Sequence, residues 1–486
     1  MLVRQWLIEG LGHLSTMLVD EDARVAVVVD PRRDVDAYLA EAAARDLRIS
    51  HVLETHLHND YVSGARELAS LTAAEHVIGA GAELRFEHHP VGSGDVLRSG
   101  SLGIAVLDAP GHTPEHVVYA VADASRAGEP ALLLTGGSLL VGSVGRTDLL
   151  GADHAVPFAH AMRSTLRDVV FGQADYVTIL PTHGAGSLCS TDIASSPSST
   201  IGYERRHNEM ARAALESEDA DVFVRALLDG QPTVPRYFAR MRPANQAGPA
   251  PIGLAPVPPP ALEARQAGRL VEGGALVVDL RDPVEHALGH VPGSVSIPAG
   301  SSFGTWLGWI VEPDRPLVLL LGDPADWEDA VRQAARIGFE RSVVGRIGGG
   351  FEAWRAAGLP IESNGRLTVD ELAARVSAGG PEAPLVIDVR QRSEFARAHV
   401  PGSVHIGAGE LPDRLAELAP DRPVAAICGS GYRASVAASL LQQAGFRDVF
   451  WVADGVPEWR RRRYPVERGD PAAAESAARA PASARP

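Results

Sequence analysis

A stretch of this chain is written twice. Residues 277–300, VVDLRDPVEHALGHVPGSVSIPAG, match residues 386–409, VIDVRQRSEFARAHVPGSVHIGAG, so Asp279, Arg281 and His290 lie 109 positions (388 − 279) before Asp388, Arg390 and His399. Two copies of a unit this long are a domain duplication rather than a solenoid. Each copy opens on an apolar run closed by Asp-x-Arg, then carries a second apolar run (PLVLLL, PVAAIC) and a helical pattern. Strands alternating with helices predict a parallel α/β domain, here twice.

The duplication accounts for under half of the 486 residues, and a prior of about 150 residues per domain asks for a further domain in front of it. The Pro/Ala-rich run at 242–261 reads as a linker and GDPAAAESAARAPASARP from Gly469 as a disordered tail. The expected division is 1–241, the linker 242–261, then 262–363, 364–468 and the tail 469–486. Acidic residues outnumber basic ones 61 to 45, a net charge of −16 that excludes nucleic acid and anionic membrane as partners. The chain has no lysine, which removes Schiff-base and P-loop chemistry. Two cysteines cannot form a disulfide framework. The opening MLVRQWLIEG has no export h-region and no run reaches about 18 apolar residues, so a soluble, cytoplasmic protein is expected. A homodimer is compatible with the sequence, which does not set the oligomeric state.

In the first half, strand-like runs (VAVVVD, HVLETH, LGIAVLDAP, ALLLTGG, YVTILPTH) end in loops carrying His, Asp or Gly, the layout of an α/β enzyme site. Thr55-His56-Leu57-His58-Asn59-Asp60-Tyr61 follows one strand, Pro110-Gly111-His112-Thr113-Pro114 a second and Pro181-Thr182-His183-Gly184 a third. A lone His is usually a core or surface residue; three strand ends each delivering imidazole point to a metal site.

These loops, with TGGSLLVGSVGRTDL at 135–149, resemble a metallo-β-lactamase-fold domain, and within that superfamily the persulfide dioxygenases often fused to rhodaneses. The resemblance implies an αββα sandwich over residues 1 to about 240 and a single Fe(II) per chain, with Zn as the alternative occupant. It places the metal on His56, His112 and an Asp whose position here is Gly137, and puts Tyr61 where the family loop usually has His. Two His and a carboxylate is the facial set of non-haem iron oxygenases, and glycine cannot complete it. Three readings follow: water or substrate sulfur fills the gap, Asp60, Asp148 or His58 fills it with His183 in support, or the domain has lost its metal. Cys189, six residues after His183, is either a small buried side chain or a thiol that touches or carries sulfane sulfur. With Tyr61 it is a candidate substrate contact. Arg146 and Asp148 read as an ion pair bracing their loop.

In the second repeat, Cys428-Gly429-Ser430-Gly431-Tyr432-Arg433 sits between an apolar run and a helix. Converging N–H groups and a helix N-terminus favour thiolate, the nucleophilic form, and Arg433 adds positive charge. Residues 365–468 resemble a single-domain rhodanese, and the cysteine-to-arginine spacing fits sulfur rather than the larger phosphoryl group. Counting 17 residues back from Gly445 reaches Cys428; the same count from Gly338 reaches Leu321, with Asp326 opposite Arg433. Residues 262–363 therefore resemble an inactive rhodanese. His290 and His399 precede the same turn in both copies, which assigns them to structure.

The combination points to sulfur metabolism: a thiol persulfide and O₂ as substrates, sulfite as product, and sulfite or a thiol as acceptor of the sulfur on Cys428. Alternatives are a thioesterase of the glyoxalase II type and a relay in which only Cys428 reacts.

Overall fold

The structure is a computed structural model describing residues 1–190, 193–229 and 231–469, so the expected tail lies outside the described residues from 470 onward. It divides into two compact units, Met1–Pro256 with Arg332–Glu340, and Val257–Val331 with Arg341–Pro486.

The first unit contains two six-stranded sheets. One holds β1 (Leu2–Ile8), β2 (His13–Asp20), β3 (Val25–Val29), β4 (Arg48–Leu53), β5 (Glu75–Gly79) and β6 (His89–Val91) in sequence order. The other runs in the order β14-β13-β10-β9-β8-β7, from β7 (Val96–Ser99), β8 (Leu102–Asp108), β9 (Val117–Asp123), β10 (Leu132–Gly136), β13 (Thr178–Pro181) and β14 (Ser199–Thr200). A small hairpin, β11 (Leu139–Leu140) with β12 (Ser143–Val144), branches from it. Leu18, Val27, Leu53 and Val77 of one sheet meet Ile104, Val106, Tyr119 and Leu134 of the other in a shared core. The outer face of the first sheet packs Tyr38, Ala42 and Leu68 from helices; that of the second packs Ala159, Met162 and Phe223. This is an αββα sandwich. β3 is buried on both faces, which explains its unbroken VAVVV, and each such side chain contributes about 1.5–3 kcal/mol over leaving it exposed.

The 242–261 segment is not all linker. A helix, Phe238–Ala247, runs into it, and a strand begins at Ala261. Asn245 fixes the helix by donating to the carbonyls of His58 and Tyr61, both at 3.0 Å, and accepting the Ser63 N–H at 2.9 Å. Arg242 adds a bidentate pair to buried Glu115 at 3.0 and 2.8 Å. Composition suggests a linker there because such hydrogen bonds leave no trace in Pro and Ala content.

The second unit carries two parallel five-stranded sheets of the same topology. The first is ordered β15-β19-β18-β16-β17, from β15 (Ala261–Leu262), β16 (Leu276–Asp279), β17 (Val295–Ser296), β18 (Leu317–Leu320) and β19 (Val343–Ile347). The second is ordered β20-β24-β23-β21-β22, from β20 (Gly365–Leu367), β21 (Leu385–Asp388), β22 (Val404–His405), β23 (Val424–Ile427) and β24 (Val449–Val452). The repeated Asp-x-Arg is structural: Arg281 clasps Asp279 at 2.9 and 2.6 Å, and Arg390 clasps Asp388 at the same two distances. His290 and His399 pair through backbone bridges with Glu362 and Glu467. Among the described residues no helix is long and apolar enough to cross a membrane.

Candidate metal centre and sulfur-transfer loop

The strand ends of the sandwich converge on one buried point. Asp30 follows β3, His56 follows β4, His112 follows β8, Gly137 follows β10 and His183 follows β13. Two of the imidazoles commit Nδ1 to a hydrogen-bond acceptor, and the third turns Nδ1 toward a carboxylate. His56 donates to the Thr55 hydroxyl at 2.9 Å, and that hydroxyl donates onward to Asp30 Oδ2 at 2.8 Å. His112 donates to the Arg146 carbonyl at 2.8 Å. His183 turns Nδ1 to Asp60 Oδ2 at 3.3 Å.

The three Nε2 atoms are thereby left facing inward. His56 and His183 bring theirs to 3.4 Å, close to the edge of about 3.3 Å spanned by two nitrogens bound to one tetrahedral ion. His112 Nε2 is buried without a hydrogen-bond partner. The ring centroids form a triangle with sides of 4.8, 5.3 and 5.4 Å. Burial, with crowding by neighbouring imidazoles, holds His56 and His112 well below the usual histidine pKa and so in the neutral, ligating form. Burial opposes charge on His183 too, yet Cys189 and Asp60 outweigh it and raise its pKa. The pocket favours a positive charge at that point. These residues fit a metal ion: three donor nitrogens, each oriented by a second partner.

They do not supply the family's carboxylate. A Cβ on Gly137 would stand 2.2 Å from His112 Cδ2 and 2.6 Å from its Nε2, and the Gly137 N–H is bound by His116 Nε2 at 2.9 Å. The loop has closed against the imidazole. Asp148 does not reach in, being held by Arg146 at 2.6 and 2.9 Å. Asp60 serves behind His183. His58 joins His56 and His183 in one set of potential ligands, but its Nε2 faces Asp30 Oδ1 at 3.2 Å. Tyr61 is fully buried, stacked on His58 with its hydroxyl on the Asp30 carbonyl at 3.4 Å, so it offers no surface to a substrate.

Cys189 is 1% exposed and forms a second potential ligand set with His112 and His183, the three ligand atoms within 4.8 Å of one another. Arg146 ties it there: its N–H donates to the Cys189 carbonyl at 2.9 Å and its guanidinium to the Leu188 carbonyl at 2.8 Å.

Sequence reasoning missed Asp30, His116 and Glu115. Asp30 accepts from Thr55 N–H at 2.8 Å, from the Thr55 and Thr182 hydroxyls and from His58, and these bonds bring its pKa to about 2 despite burial. The available signal was an apolar strand ending in Asp, VAVVVD.

In the second unit, Cys428 directly follows β23, and its Sγ accepts the Gly431 N–H at 3.1 Å. Gly431 adopts φ 91°, open to glycine, and caps the helix Tyr432–Gln443, whose N-terminus faces the loop. Arg433 is held by Glu394 at 2.6 and 2.9 Å. Its charge is thus compensated, and it fixes the loop as much as it polarises it. Gly429 and Ser430 complete the turn. Leu321 holds the matching place after β18, and Pro324 stands where Gly431 donates its N–H.

This architecture defines a metal-site sandwich ahead of tandem sulfurtransferase-type domains. The metallo-beta-lactamase superfamily model matches residues 10–183, and the rhodanese-like domain model matches residues 263–357 and 368–462. The chain therefore carries a metallo-beta-lactamase domain followed by two rhodanese-like domains. The human mitochondrial persulfide dioxygenase ETHE1 is 32% identical over 160 residues, 30% of this chain and 56% of that protein. The hydroxyacylglutathione hydrolase of Dictyostelium discoideum is 31% identical over 136 residues, 28% of this chain and 50% of that one. The chain spans about half the length of these curated relatives. A crystal structure of a metallo-beta-lactamase from Staphylococcus aureus subsp. aureus COL superposes with a TM-score of 0.63 at 28% identity, covering 71% of this chain and 98% of that one.

Proposed function

We propose that this protein is an enzyme of sulfur metabolism that oxidises the sulfane sulfur of a low-molecular-weight thiol persulfide to sulfite and transfers sulfane sulfur through Cys428. The observation that carries the reading is the Cys428 loop, where a buried Sγ takes the Gly431 N–H at 3.1 Å beneath a helix N-terminus. Both features stabilise thiolate. In the transfer step this thiolate attacks the sulfane sulfur of the donor. A Cys428 S–S bond forms, the donor's S–S bond breaks, and the donor leaves as thiolate or sulfite. Sulfite or a thiol then takes the outer sulfur and restores the Cys428 thiolate.

In the N-terminal domain, His56, His112 and His183 would hold one Fe(II) per chain. Bound there, iron supplies affinity for both sulfur and O₂. The protein's own part is to keep His56 and His112 neutral, to aim three imidazoles at one point, to keep Asp60 ionised behind His183, and to exclude water. Likeness to the persulfide dioxygenase supports this reading. Likeness to hydroxyacylglutathione hydrolases favours hydrolysis of an acyl-thiol as the second reading, but Gly137 and Tyr61 stand where a two-metal site needs ligands.

The test is O₂ uptake and sulfite formation by iron-loaded protein given glutathione persulfide, alongside thioester hydrolysis. Persulfide turnover abolished by His112→Ala, with sulfur transfer separately abolished by Cys428→Ser, is the expected result. Thioester cleavage with no persulfide turnover would overturn it.

A further inference from the structure

The anionic ligand missing at Gly137 has a replacement on the other side of the cluster. We propose that the Cys189 thiolate, with His56, His112 and His183, completes the metal site, so that sulfur takes the place of the carboxylate. Cys189 lies within 4.8 Å of the ligand atoms of His112 and His183, and His183 Nε2 is 3.4 Å from His56 Nε2. Nitrogen and sulfur bound to one tetrahedral ion lie about 3.6 Å apart, a separation that falls within the 4.8 Å span of the Cys189, His112 and His183 ligand atoms. His112 Nε2, fully buried and unpartnered, aims into the same space.

The scaffold couples the thiol to the imidazoles through one residue. The carbonyl of Arg146 orients His112, while its N–H and guanidinium hold Cys189 and Leu188. Arg146 is itself 1% exposed and locked by Asp148, so His112 and Cys189 are carried on a common brace. Gly137 has closed against His112, so no side chain can enter the cluster from that position. Three nitrogens and a thiolate select a borderline-soft divalent ion such as Fe(II), Zn(II) or Co(II) over Mg(II) or Ca(II). Binding displaces protons to solvent: the Cys189 S–H breaks as the metal–sulfur bond forms, and His183 gives up the extra proton of its charged form as Nε2 becomes a donor.

The inference rests on a metal occupying this cluster and not on persulfide being its substrate. Its test is spectroscopic and independent of turnover. Cys428 is the only other cysteine, so full-length Cys428→Ser leaves Cys189 as the sole thiol. Loaded with Co(II), that protein is expected to bind one ion, to show sulfur-to-cobalt charge transfer in the near-ultraviolet, and to give one sulfur scatterer at about 2.3 Å by X-ray absorption. Adding Cys189→Asp should keep the ion and abolish both sulfur signatures; Cys189→Ser should abolish them and weaken binding at least tenfold. A bound Co(II) without a sulfur scatterer, signatures that survive Cys189→Asp, or no bound Co(II) would each overturn the proposal. Loss of persulfide turnover with the sulfur signatures intact would instead overturn the proposed function and leave this site standing.

Discussion

His286 and His290 lie face to face in the first rhodanese-like domain, their ring centroids 4.0 Å apart and their planes within 1°. The second domain stacks Phe395 on His399 in the same register, at 3.7 Å and 5°. One copy therefore buries a titratable ring where the other buries a phenyl. Burial, then His290 and Arg281, hold His286 well below the usual histidine pKa. The unfolded chain binds this proton near pH 6.5 and the folded one does not, so the stabilisation is present above about pH 6.5 and is lost as pH falls below it. His286→Phe should flatten that loss. Between about pH 7.5 and about pH 5, the fall in Tm should shrink by about 2–4 °C for each kcal/mol of proton linkage removed. Equal slopes for variant and wild type would show that His286 does not titrate against folding.

Restoring the family's aspartate is expected to damage the metal site. Gly137→Asp places a Cβ 2.2 Å from His112 Cδ2, so either the ring or the loop held by His116 must move. Overpacking of this kind costs about 1–3 kcal/mol. Gly137→Ala should lose metal as Gly137→Asp does, because the obstacle is the first carbon and not the charge. Metal content per chain after anaerobic loading checks this. Higher occupancy in Gly137→Asp would show that the loop opens readily and that the carboxylate is what the site lacks.

In the proposed metal site the Asp60 carboxylate stands behind His183, 3.3 Å from its Nδ1, and not among the donors. Burial pushes this carboxyl up, but His183 and His58 outweigh it and keep it ionised. Asp60→Ala removes the carboxylate that faces His183 Nδ1 at 3.3 Å and frees the ring to turn. Metal affinity should fall about 10–100-fold, read by competition with a chelator. The sulfur signatures of bound Co(II) should survive, since no ligand is removed.

Much of this site can be read from the sequence because its candidate ligands sit at strand ends, and strand ends carry short polar motifs after apolar runs. His56, His112 and His183 announce themselves in that way. The duplication is equally plain, since Asp279-x-Arg281 and Asp388-x-Arg390 carry the same internal clasp. What sequence does not show is which partner each ring keeps. Asp30 is a single acid at the end of a valine strand, yet it receives bonds from Thr55, His58 and Thr182, the last 152 positions away. Cys189 shows the same limit. Its distance from His183 is visible in the chain, but its place beside His112 depends on the Arg146 brace, which is a matter of packing.

Supplying the cysteine that the first rhodanese-like copy lacks is not expected by itself to arm its loop. Leu321 follows β18 as Cys428 follows β23, so Leu321→Cys puts a thiol at the matching strand end. In the Cys428 loop the N–H three residues on, from Gly431, donates to Sγ at 3.1 Å. Three residues after Leu321 stands Pro324, which has no N–H to give. The next N–H, of Ala325, is already bound by the Asp323 side chain at 2.8 Å. Asp326 then adds negative charge where the active copy has Arg433. A thiol at 321 should therefore lack the N–H that the Cys428 sulfur accepts and keep an ordinary pKa near about 8.5. In a Cys428→Ser background, Leu321→Cys should form no persulfide with thiosulfate by mass spectrometry and should alkylate slowly at neutral pH. Leu321→Cys combined with Pro324→Gly should lower the thiol pKa relative to Leu321→Cys alone, since it restores the N–H. If Leu321→Cys alone took up sulfur readily, the loop's hydrogen bond would not be what arms the cysteine.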